Sequence, residues 1–442
     1  MDAERLTAPD RDAHAAAACT AAARAARESY GRLVALLAAS TGDLALAEDA
    51  LADAFERALR TWPESGVPDN PDGWLLTVAR NRERDEWKSA ARRRTVPLPT
   101  DDAPGPTDAA AAAPASDAPA RAPSLGHDPL ADVDPDRIPD RRLELLFTCA
   151  HPAIDASVRT PLMLQAVLGF EASEVARAFA VPAATMAQRL VRAKRRIREA
   201  RIPFAVPDRH AMPERLPPVL EAIYGCAALD WRGGAADPAG EAQYLAVVLA
   251  GLLEHEPEAW ALAALTTLAL ARRGPDAAGF VPLDEQDPST WDAASIDEGD
   301  AYLRRAARER GRLATPGRFE LEAAIQSVHC ARRTGTTDWA ALRTLYDALL
   351  ATAPSLGAEV ARAVVVGRLD GPEAGLAALP GEASGFQPWW AARADLLERA
   401  GRADEAAGAF RRAADLASDP AVREHLAARA ERAAGSGPAQ PG

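Results

Sequence analysis

Residues 171–201 constrain the fold more than any other stretch of this chain. The run from Glu171 to Ala180 reads as a short helix, Val181-Pro182 as a turn, and the residues after it as a second helix with one apolar and one basic face. Met186, Leu190, Ala193 and Ile197 recur at three- and four-residue steps and form a single stripe to be buried. Gln188, Arg192 and Arg195 lie on the opposite side, flanked by Thr185 and Arg189. Pro182 lacks an amide donor and restricts the residue before it, so it cannot continue the first helix. This is the layout of a helix-turn-helix, whose second helix can enter a DNA major groove.

A net charge of −13 excludes a uniform nucleic-acid coat, so the distribution of charge decides the matter. Residues 137–201 carry +6, whereas residues 97–136 carry −7. A second basic cluster lies within Arg80–Arg94 and includes Arg84, Lys88 and Arg92. Two basic patches on an acidic chain imply local contacts with DNA.

With 442 residues the chain is expected to form about three domains, all of them helical, because alanine-rich segments dominate and strand alternation is missing. Residues 1–96 form the first unit, helical from about Tyr30. Asp43 is placed as the cap of a helix whose stripe is Leu44, Ala47, Leu51, Phe55, Ala58 and Trp62. Glu48, Asp49, Asp53 and Glu56 give that helix an acidic face. A proline-rich loop is expected over Pro63–Pro71, and the next helix near Trp74. Residues 97–136 hold nine prolines and eight aspartates and read as a flexible linker. Residues 137–201 form the second small unit, and residues 202–442 a helical extension. Near residues 386–418 the positions Trp390, Ala394, Leu397, Gly401, Ala406, Phe410 and Ala413 match the spacing of a tetratricopeptide hairpin.

With both small units in view, the chain resembles the RNA polymerase sigma factors, and more narrowly the extracytoplasmic-function group with a long C-terminal extension. The residues that carry the resemblance to sigma region 2 are Ala47-Glu-Asp-Ala-Leu-Ala-Asp-Ala-Phe55 and the run from Trp74 to Asp85. Those that carry region 4 are Arg141–Ala153 and Val181–Lys194. The resemblance implies that region 2 docks on the β′ clamp helices of core RNA polymerase through Glu48, Asp49, Asp53 and Phe55. Many relatives have Gln-Glu where this chain has Ala52-Asp53, which keeps the charge and drops a polar group. It further implies that Asn81, Arg84, Lys88 and Arg92 meet the −10 promoter element. Region 4 would sit by the β flap and read the −35 element with Thr185, Gln188, Arg189 and Arg192, while Lys194, Arg195 and Arg196 lie nearer phosphates. The extension is expected to modulate activity or to hold a protein partner.

The alternative is a stand-alone helix-turn-helix regulator with a protein-interaction tail, which leaves the first unit and the linker unexplained. Catalysis is not expected: the chain has no phosphate loop and no nucleophile with a credible base. Four scattered cysteines give neither a disulfide framework nor a metal motif, and Cys149 with His151 is only two potential ligands. No cofactor is expected. Apolar runs at Tyr244–Leu253 and Trp260–Ala271 are too short to cross a bilayer, and no signal-peptide core is present, so a cytoplasmic location without membrane contact is expected.

Overall fold

The computed structural model describes residues 8–94, 140–229, 238–273 and 280–435. The described residues form nineteen α-helices and no strand, so the fold class is all-α. The Pro- and Asp-rich linker assigned to residues 97–136 lies outside the described residues.

The first compact unit runs to Val219. It opens with α1 (Ala8–Glu28), α2 (Tyr30–Thr41), α3 (Leu44–Ser65) and α4 (Pro71–Arg94). Gly42 ends α2 in the left-handed region at φ 70°, where an L side chain is disfavoured. Asp43 then caps α3, accepting from the Ala45 and Leu46 amides at 3.1 and 3.3 Å. The core face of α3 is Leu44, Ala47, Ala50, Leu51, Ala54, Ala58 and Trp62. It packs against Leu75, Leu76 and Ala79 of α4 and the small face Ala18, Ala22 and Ala25 of α1. The Trp62 and Trp74 rings meet edge to face at 5.4 Å.

Three expectations need correction here. Helical structure begins at Ala8, well before Tyr30. Pro63 lies inside the last turn of α3, which continues to Ser65 and ends at Gly66 (φ 80°). Pro71, the first residue of α4, takes the place expected for Trp74, because a proline at the start of a helix gives up no bonded amide.

The helix-turn-helix segment adds α5 (Arg142–Cys149), α6 (Ala156–Ala166), α7 (Ala172–Ala178) and α8 (Ala183–Glu199). Glu174 accepts from the Glu171 amide at 2.9 Å and so closes the start of α7. The chain reverses at Ala180, which has φ 51°, and Pro182 opens α8. Two separate domains were expected, but the structure packs this segment on the first four helices: α5 lies on α2, and α8 on α3. Gly31 of α2 lies against the end of α6 and beside Arg142 of α5, and a Cβ there would overlap the Val167 carbonyl. The segment also extends past Arg201: Ile202 is buried, and the Thr148 hydroxyl donates to the Pro203 carbonyl at 3.2 Å. Then α9 (Met212–Leu229) begins, and the boundary between the compact units falls within it.

The second unit, from Leu220, contains α10 (Pro238–Leu252), α11 (Pro257–Leu270), α12 (Ala293–Arg310), α13 (Arg318–Cys330) and α14 (Trp339–Thr352). It continues with α15 (Leu356–Asp370), α16 (Pro372–Ala378), α17 (Gln387–Arg399), α18 (Ala403–Leu416) and α19 (Pro420–Gly435). Its most enclosed element is α11, buried continuously from Ala259 to Leu268 beneath α10, α12 and α13. From α13 onward successive helices pack on their neighbours. The hairpin near residues 386–418 is α17 and α18, joined at Gly401 (φ 74°), with Ala394, Leu397, Ala406, Phe410 and Ala413 in one core cluster and Trp390 against it.

Candidate polymerase and DNA interface

On α8 the apolar stripe Met186, Leu190, Ala193 and Ile197 is buried, so the other face is fixed relative to the core. Gln188, Arg192, Arg195 and Arg196 are exposed, while Thr185 and Arg189 are partly covered. Arg195 reaches Glu199 at 3.3 Å, one turn along the same helix. Arg196 Nε donates to the Ala153 carbonyl at 3.4 Å. Both arginines still present guanidinium surface outward, and exposed ion pairs of this kind contribute little to stability.

Lys194 is the exception. The sequence groups it with the phosphate-facing arginines, but the structure buries it against α3, with its side chain 11% exposed. Its Nζ donates to both carboxylate oxygens of Glu48, at 2.5 and 2.8 Å. Glu48, a candidate polymerase contact, is therefore covered by the candidate recognition helix. Burial pushes the Glu48 carboxyl above the ordinary carboxylate range, and the Lys194 ammonium holds it down. Burial, with the charges of Glu48 and Asp49, raises the Tyr30 phenol. Arg198 adds a second link between the same helices, at 3.2 Å from Asp43. Two ion pairs therefore link α8 to α3 and its cap, a buried one at Glu48 and a half-exposed one at Asp43.

The remaining candidates on α3 point outward. Asp49 and Asp53 are exposed, and Phe55 is half-buried beside the core stripe rather than within it. Asp53 is already engaged, since Arg82 of α4 donates to it at 2.6 Å and also reaches Glu86 at 3.0 Å. Sequence reading placed Arg82 in the basic cluster without its partner Asp53, and missed Arg198 and the partner of Lys194; charges that face each other across two helices leave no local spacing signal. On α4, Asn81 and Arg84 are exposed, whereas the side chains of Lys88 and Arg92 lie outside the described residues.

Cys149 is fully buried, and burial raises its thiol above the usual range, with Lys194 opposing and Glu48 adding to the shift. His151 accepts from the Ala153 amide at 3.0 Å through Nδ1, so its ring holds the turn after α5. Among the described residues no three His, Cys, Asp or Glu side chains gather as a metal site would require, and no helix is long and apolar enough to cross a membrane.

Comparison with known proteins matches the geometry in two places. The family model of sigma-70 region 2 matches residues 26–93, the end of α1 through nearly all of α4. A family of unknown function, DUF6596, matches residues 215–307, from α9 into α12. An uncharacterized protein of Rhizobium meliloti (strain 1021) is 37% identical over 398 residues, covering 87% of this chain and 89% of its own length. The chain belongs to that protein's family. A probable ECF RNA polymerase sigma factor, SigI, of Mycobacterium tuberculosis (strain ATCC 25618 / H37Rv) is 30% identical over 189 residues. That alignment covers 41% of this chain, which spans only 57% of the Mycobacterium protein. No solved structure matches the chain. The chain therefore carries a sigma-70 region 2 domain, and its likeness to SigI supports a sigma-factor role.

Proposed function

We propose that this chain is an alternative-type sigma factor of the extracytoplasmic-function group. It binds core RNA polymerase in the cytoplasm, directs it to a limited set of promoters, and performs no chemistry of its own. The observation that carries this reading is the order of parts: a sigma-70 region 2 match on α2–α4, followed by a helix-turn-helix whose buried stripe turns Gln188, Arg192 and Arg195 outward. Region 2 docks on the β′ clamp helices with Glu48, Asp49, Asp53 and Phe55, and meets the −10 element with Asn81, Arg84, Lys88 and Arg92. Residues 141–203 act as region 4 beside the β flap. There Thr185, Gln188, Arg189 and Arg192 face −35 base edges, and Arg195 and Arg196 face phosphates.

The Glu48–Lys194 pair makes the described arrangement a closed one, because Glu48 cannot meet a polymerase while α8 covers it. Docking then requires α8 to leave α3, which frees Lys194 for a phosphate as Glu48 finds its new partner. The helical extension, with its tetratricopeptide-like hairpin α17–α18, modulates that step or recruits a protein partner.

Promoter-directed transcription with purified core polymerase tests the proposal, comparing the full chain with one that ends at His210, before α9. Initiation at defined promoters by either form is the expected result, and a change on truncation reports the sign of the extension's effect. If neither form binds core or directs initiation, a stand-alone helix-turn-helix regulator becomes the better account.

A further inference from the structure

The second unit contains a cavity of about 340 Å³ beside α13, α14 and α15, floored by the loop that begins at Leu283. That volume is at the small end of the range for small-molecule sites. Trp339, Tyr346 and Val365 give it a largely apolar wall, Arg332 and Arg368 bring two positive charges to it, and Asp284 brings one carboxylate.

The charges in and behind this wall do not balance. Arg332 donates to main-chain carbonyls, to Asp284 at 3.3 Å and Gln286 at 3.0 Å, and also to Leu283. No carboxylate among the described residues pairs with it. Arg368 pairs with Asp284 at 2.8 Å and reaches Asp395 at 3.7 Å, and Arg399 shares both carboxylates at 3.7 and 2.8 Å, so the cations left without a carboxylate among the described residues are Arg332 and Arg272. Arg368 also stacks 5.2 Å from the Trp339 ring centre. Behind the wall Arg272 donates to Gln326 and has no carboxylate partner among the described residues. The Nε atoms of Arg272 and Arg368 are buried without a hydrogen-bond partner among the described residues. Burial, with Arg272 and Arg332, lowers the lining His329 to about 4, which leaves its ring neutral at pH 7. A buried cation without a counter-charge costs free energy that an anion would offset.

We propose that this cavity binds a small organic monocarboxylate with a compact aromatic or branched apolar body. Arg332 and Arg368 receive the carboxylate, and the body lies against Trp339, Tyr346 and Val365. An inorganic anion would satisfy the charge but leave the aromatic wall uncovered, and a cation would add to an existing excess. The site lies wholly within the second unit, so it stands or falls independently of the sigma-factor reading.

The test is direct binding to the full chain, without polymerase, by calorimetry and thermal shift. The probes are sodium phenylacetate, its neutral isostere phenylacetamide, and inorganic phosphate at matched ionic strength. Saturable binding of phenylacetate is expected, with a rise in Tm that neither other probe reproduces. Ala361→Phe, which fills the cavity, should abolish binding, and Arg332→Gln should weaken it about tenfold. Because Arg332 also holds the Leu283 loop, Arg272→Met provides a second charge deletion away from that loop, expected to weaken phenylacetate several-fold at an unchanged or higher Tm. The proposal is overturned if phenylacetate fails to bind up to roughly 10 mM, the weak end for a ligand of this size. Equal response to phenylacetamide or phosphate overturns it too, as does undiminished binding by Ala361→Phe.

Discussion

Lys194 and Glu48 show how one residue's meaning depends on its partner. A buried ion pair is weak evidence of net stability, because desolvation offsets much of the attraction; removing one partner alone is far more costly. Lys194→Met strands the Glu48 carboxylate in a site where its side chain is 14% exposed, and should destabilise the first unit by about 3 kcal/mol. Replacing Glu48 with Met as well removes both charges and should recover most of that loss. Urea unfolding of the two variants decides it, and a double variant no better than the single one would mean the pair is not the source. His329 gives a pH signature in the other unit. Its ordinary value is 6.5 and its folded value about 4, so the fold favours the neutral ring. The resulting stability is complete above about pH 6.5 and is lost as pH falls toward 4, by at most about 3 kcal/mol. His329→Gln cannot titrate, so its unfolding midpoint should fall less over that interval than the parent's; identical slopes would remove His329 as the cause.

The sequence states an element clearly wherever side chains contrast. The stripe Met186, Leu190, Ala193 and Ile197 stands out among arginines, and α8 follows it closely. Asp43 after Gly42 is a stop followed by a start, and both operate as such. By contrast α1 offers almost only alanine, and its buried Ala18, Ala22 and Ala25 cannot be told from its exposed alanines by hydropathy. Phe55 fits the stripe of α3 by spacing, yet Ala50 and Ala54 take the core positions and leave it half-buried. The packing of α8 on α3 was not legible at all, since Glu48 and Lys194 are 146 residues apart and each reads as part of a solvated face. Gly31 is equally silent in the sequence, although it sets the approach of α2 to the Val167 carbonyl. Gly31→Ala is favourable for helix propensity but collides with backbone that cannot rotate away. It should cost about 1–3 kcal/mol and loosen the α2–α5 and α3–α8 contacts together. Distance measurement between labels on α3 and α8 checks this, and an unchanged distance would show that the contact tolerates a methyl group.

At the scale of the molecule, the charge of −13 coexists with a stretch of +6 over residues 137–201, and the helix-turn-helix holds most of that excess. An acidic protein that binds DNA through a confined basic face should show a salt dependence set by a few side chains. Arg192 is exposed on the outer face of α8, so Arg192→Ala should leave stability within roughly 0.5 kcal/mol of the parent. As a base-edge contact it should also relax sequence preference at one position of the −35 element in a polymerase-bound promoter complex and leave the slope of log affinity against log salt nearly unchanged. Contact with a phosphate would instead reduce that slope by about one and leave sequence preference as it was. The same titration with Lys194→Met separates the closed and open arrangements. Replacing a lysine that stayed paired with Glu48 throughout would leave the slope untouched, whereas replacing one released to a phosphate on docking would lower it by about one. The outcome for Lys194 therefore reports whether the α3–α8 contact persists when the protein is at work, and a slope and a sequence preference both unchanged in the two variants would remove Arg192 and Lys194 from the DNA interface.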